Sequence, residues 1–154
     1  MTYDTASDYT MGEPDGDYTA SVVEVIETVI SSLETDQSAM VSKSDDGFVW
    51  KFCYGSVEIF VHLTGTAEDD TLTVWSSVLK LPAKNEATLM RKLLEMNWSE
   101  TFEARFCILG DQIVVSATRD IEDLSPAEVS RNITIVATIA DEQDDILQAE
   151  FGAA

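Results

Sequence analysis

The run FVWKFCYGSVEIFVHL, from Phe48 to Leu63, decides the fold. Phe48, Trp50, Phe52 and Tyr54 alternate with Val49, Lys51 and Cys53, a period of two that belongs to a strand, since successive strand side chains point to opposite faces. Gly55-Ser56 suits a two-residue type II′ turn, because glycine adopts the positive φ that such a turn requires. The return carries Val57, Ile59, Val61 and Leu63 on one face and Glu58, Phe60 and His62 on the other. An antiparallel hairpin with one apolar face must be covered by something else.

Outward from the hairpin, the chain supplies both more sheet and its cover. Upstream, Ser21 and Glu24 read as a capping box opening a helix. Val22, Ile26, Val29 and Leu33 form its stripe at 100° per residue, with Val23 and Ile30 beside it. Residues 39–43 read as a short strand ended by Ser44-Asp45-Asp46-Gly47. Downstream, Thr71–Leu81 is a long strand that Pro82 stops. A helix follows from an Asn85 N-cap to Asn97, with Leu89, Leu93 and Met96 inward and Met90 and Leu94 widening the stripe. Phe102, Ala104, Phe106 and Ile108 alternate into another strand, Gly110-Asp111 turns, and residues 113–118 return. Ser125-Pro126-Ala127-Glu128 is a capping box with proline at the first helical position. Val129, Ile133, Val136, Ala140 and Leu147 then make a core stripe, with Ile135, Ile139 and Ile146 on a second stripe about 100° away. The order α-β-β-β-α-β-β-α, with residues 39–43 as an optional extra short strand, lacks regular strand–helix alternation. It predicts an α+β domain, an antiparallel sheet with helices packed on it, rather than a doubly wound parallel sheet. The expected division is an acidic flexible arm over residues 1–20 and one domain over residues 21–152.

The 154 residues hold 29 Asp and Glu against 9 Lys and Arg, a net charge of −20. A polyanion repels nucleic-acid backbones and anionic membrane surfaces, so neither is an expected partner. Such a charge also suits solubility in strong salt. The start MTYDTASDYT is acidic and does not read as a secretory signal. No run of about 20 apolar residues is present. A cytoplasmic protein is the expectation. Cys53 and Cys107 match no zinc or redox spacing and read as small buried hydrophobes. A disulfide between them would require neighbouring strands. The sequons at Asn97 and Asn132 fall within predicted helices, which disfavours glycosylation.

Chemistry-bearing patterns are sparse. His62 stands on a strand beside Phe60, the setting of a structural or solvated histidine. No nucleotide-binding glycine motif occurs. Asp15-Gly-Asp17 and the Asp141–Asp145 stretch are acid-rich but lack calcium-loop spacing. The expectation is no catalytic residue, no metal and no cofactor.

The segments VLKLP (Val78–Pro82), LLEMN (Leu93–Asn97), RFCILGDQIVV (Arg105–Val115) and DLSPAE (Asp123–Glu128), in this order after an aromatic hairpin, resemble the YbjN-domain family, of the sort common in cyanobacteria. The resemblance covers about residues 20–152 and consists of packing and capping signals. It implies a type III secretion chaperone-like fold, a homodimer, and a non-enzymatic role in holding a protein or peptide partner. The family also carries the label of a sensory transduction regulator, so a small-ligand sensor is the alternative. The net charge would favour a basic partner. Candidate partner or dimer surfaces are Leu89, Met90, Leu93 and Leu94 of the second helix, Ile135, Ile139 and Ile146 of the third, and Trp50 among the strand aromatics.

Overall fold

The computed structural model describes the backbone of residues 15–153 and the side chains of residues 22–153. The elements are α1 (Asp15–Leu33), β1 (Met40–Ser44), β2 (Gly47–Tyr54), β3 (Val57–Leu63), β4 (Thr71–Lys80), α2 (Glu86–Ser99), β5 (Arg105–Leu109), β6 (Gln112–Asp120) and α3 (Pro126–Phe151). The strands form one six-stranded antiparallel sheet in the order β1-β2-β3-β4-β6-β5. This is the predicted α+β class, with β1 and β5 as its edges.

The hairpin pairs as its alternation dictates, with Trp50 opposite Val61 and Phe52 opposite Ile59. Val57, Ile59, Val61 and Leu63 are buried, while Glu58, Phe60 and His62 take the other face. Gly55 turns the chain with φ 58. There, a side chain would also strike the Asp141 carboxylate. On the face away from the core, Phe60 and Trp75 stack with centroids 5.2 Å apart.

The helices provide the cover. Val129, Ile133, Val136, Ala140 and Leu147 are all buried, as their spacing requires. The α3 capping box forms as predicted: Glu128 N–H donates to the Ser125 hydroxyl at 3.1 Å, and Ser125 N–H donates to the Glu128 carboxylate at 2.9 Å. Its carboxyl sits below the usual carboxylate range, chiefly because of the Ser125 backbone bond and then through Arg119. Asn97 and Asn132 both lie in helices.

Several local expectations are corrected. Helix α1 already includes Asp15, so Ser21 lies within the helix and not at its N-cap. The first fourteen residues of the expected arm lie outside the described residues. Asn85 does occupy the N-cap of α2, but in a left-handed conformation with no side-chain bond to the helix. Glu86 instead reaches back to Ala83 N–H. Strand β5 begins at Arg105, because Phe102 takes a positive φ of 54 and ends the α2 turn. Cys53 is half-buried and Cys107 exposed rather than buried. Their strands, β2 and β5, are not neighbours, which rules out a bridge between them.

Candidate protein-binding surface

Helix α2 divides its side chains by period. Leu89, Leu93 and Met96 turn inward and are buried. Ala87, Arg91, Leu94, Glu95 and Trp98 line a shallow depression on the outer side. Leu94 is 69% exposed and Trp98 90%. On β5, Ile108 is exposed on the side of α2 and Leu109 on the opposite face of the strand, and Phe102 is exposed in the preceding turn. Between α2 and β5 an open groove of about 400 Å³ is lined by Met90, Leu93, Leu94, Phe106, Cys107, Ile108 and Ile113. Leu94 links the depression to the groove and so joins Trp98 to Ile108, and exposed apolar side chains grouped in this way mark a contact surface.

Asn97 fixes the angle between the two elements. Its carboxamide accepts from Phe106 N–H at 2.8 Å and donates to Phe106 C=O at 3.3 Å. The side chain therefore stands in for a neighbouring strand at the β5 edge. Phe102 is held by the Arg131 guanidinium, 5.8 Å from its ring centre, and Arg131 in turn pairs with Glu103. That pairing lowers the Glu103 pKa.

The charge distribution singles out the same region. From Lys80 to Asp120 six Lys and Arg balance six Asp and Glu. The whole net charge of −20 thus lies on the rest of the chain. With no net charge of its own, this segment adds no net repulsion between two copies.

The other candidate residues scatter. Leu89, Leu93 and Ile139 go to the core. Trp50 is 2% exposed, facing α1, and its indole N–H donates to Glu27 at 3.1 Å. It is a core residue rather than a contact residue, because the apolar face of β2 is the face that the helices cover. Met90 and Ile135 are half-buried against the core. Ile146 is half-exposed beside a small hollow between α2 and α3, away from the β5 groove. So the structure brings Met90 and Leu94 together with Ile108 and Trp98, and leaves the second α3 stripe apart. Trp98 was missed in the sequence, although 100° steps from Ala87 through Leu94 place it on the same outer stripe.

Elsewhere, several polar side chains tie elements together. Asp141 and Asp144 both accept from the Ser56 hydroxyl, at 3.1 and 3.0 Å, tying the β2–β3 turn to α3. His62 Nε2 lies 3.1 Å from the Asp46 carbonyl oxygen. Desolvation raises the Cys107 thiol pKa, the opposite of an activated nucleophile. Among the described residues, no helix is long and apolar enough to cross a membrane.

Comparison with known proteins gives the architecture a family. No curated protein matches the chain. Among solved structures, the crystal structure of the ExsC–ExsE complex is similar, with a TM-score of 0.61 and 15% identity, covering 84% of this chain and 95% of that one. At that identity the likeness establishes the fold, the type III secretion chaperone-like arrangement that the sequence resemblance implied. The family described as "Putative bacterial sensory transduction regulator" matches residues 23–149. With most of its length matched, the chain belongs to the YbjN family.

Proposed function

We propose that this protein is a non-enzymatic protein-binding module, adaptor- or chaperone-like, that works as a homodimer joined through the α2–β5 face. The observation that carries this reading is the gathering of Leu94, Trp98 and Ile108, all exposed, on the charge-neutral stretch of an otherwise strongly acidic chain. A two-fold pair would bury the same patch on both copies, and the acidic remainder would face outward. The similar solved structure is itself a complex, which supports a role in holding a polypeptide partner.

Hydrogen–deuterium exchange at rising protein concentration tests it. Dimerisation through this face predicts that residues 90–98 and 106–109 gain protection together. Protection confined to residues 135–146, or none at any concentration, would overturn the assignment.

A further inference from the structure

The two edges of the sheet differ in chemistry. At β5 the Asn97 carboxamide already occupies the backbone of Phe106. At the other edge β1 pairs with β2 alone among the described residues, and all five of its residues are exposed. Met40 is 63% exposed and Val41 54%. A sheet edge of this kind offers a row of backbone donors and acceptors to another extended chain. Edge lysines usually guard against such pairing. Here Lys43 is drawn aside, with its ammonium 5.1 Å from the centre of the Phe48 ring on the neighbouring strand.

Acids bracket this edge. Glu34 and Asp36 precede it, with the Glu34 carboxylate accepting from Ala39 N–H at 2.8 Å. Asp45 and Asp46 follow it in the turn, both exposed. Five residues of strand span about 17 Å. We propose that the β1 edge takes an extended segment of a partner protein, with β-branched residues alternating along its centre and lysine or arginine at both ends. The sign excludes other occupants. A second β1 would set these carboxylates against their own copies. The chain's first fourteen residues carry Asp4, Asp8 and Glu13 and no base, and so have the wrong charge as well.

This inference rests on the protein-binding reading and adds the site and its ligand chemistry. The test uses the full chain and the fluorescent peptide KRVTVTVKR, followed by anisotropy at low salt. Binding should weaken roughly tenfold between about 20 and 300 mM salt, as ionic screening shortens. It should weaken similarly in Val41→Lys and in the Asp45→Asn/Asp46→Asn double variant. The substituted positions Val41, Asp45 and Asp46 are all exposed. The equally charged KRVPVPVKR, which cannot complete a strand ladder, should bind at least tenfold more weakly. Equal binding of the two peptides, or no effect of the β1 variants, would overturn the edge assignment. Light scattering on the same samples separates the readings. A β1 variant that loses the peptide should keep its dimer mass, and a variant of the α2–β5 face that loses its dimer mass should keep the peptide.

Discussion

The side-chain amide of Asn97 satisfies both backbone groups of Phe106, with contacts of 2.8 and 3.3 Å. One residue of α2 thereby sets the geometry of the groove along β5. Asn97→Ala would leave both groups without a protein partner, at a cost of about 1–3 kcal/mol. Urea unfolding measures it. Asn97→Asp keeps the acceptor for Phe106 N–H and is expected to lose less. Equal stability of wild type and Asn97→Ala would show that the clamp is incidental.

The α3 cap makes a pH prediction. Glu128 is held below the ordinary carboxylate range by Ser125 N–H first and Arg119 second. The folded state therefore favours its ionised form. That contribution is complete above the unfolded glutamate value, about pH 4.3, and is lost as pH falls through the depressed folded value. Wild type should exceed Glu128→Gln in urea midpoint at pH 7, and the gap should narrow toward pH 3. A constant gap would contradict the assignment. Ser125→Ala removes the other half of the box and should cost about 1 kcal/mol.

The indole of Trp50 ties β2 to α1 through Glu27. Trp50→Phe keeps most of the packing and loses the bond, so a loss of about 1 kcal/mol is expected. Glu27→Gln keeps an acceptor and should cost less. The cycle of the two should show coupling, because both act on one contact. Strict additivity would mean that the contact carries no energy.

These predictions rest on features of unequal legibility. The Phe48–Leu63 hairpin, the Ser125 cap and the α3 core stripe were readable because each is a local pattern with one physical solution. The start of α1 was not: Ser21 and Glu24 have the spacing of a box, yet the helix runs through them from Asp15. Phe102 continues the alternation of β5 in sequence, but the turn after α2 takes it out of the strand. Leu94 and Met90 could be named from periodicity, whereas the groove they share with Ile108 exists only once β5 lies beside α2. Trp50 shows the converse. An aromatic on a strand has no sign of its face until the helices choose one to cover.

Cys107 reports on the groove that it lines. It is exposed in the single chain, while Cys53 is half-buried. Maleimide should label Cys107 first in dilute protein, and rising protein concentration should slow that labelling if a second copy covers the groove. A rate independent of concentration would place the contact elsewhere.

Light scattering on wild type and on Leu94→Asp/Trp98→Asp tests the central claim most directly. Both side chains are exposed, so the substitutions should leave the single chain within about 0.5 kcal/mol of its stability. A pair joined through α2 and β5 gives about 34 kDa for wild type, twice the 17.0 kDa chain, and the mass of one chain for the variant. A wild-type mass of one chain at high concentration, or a variant that remains paired, would contradict it.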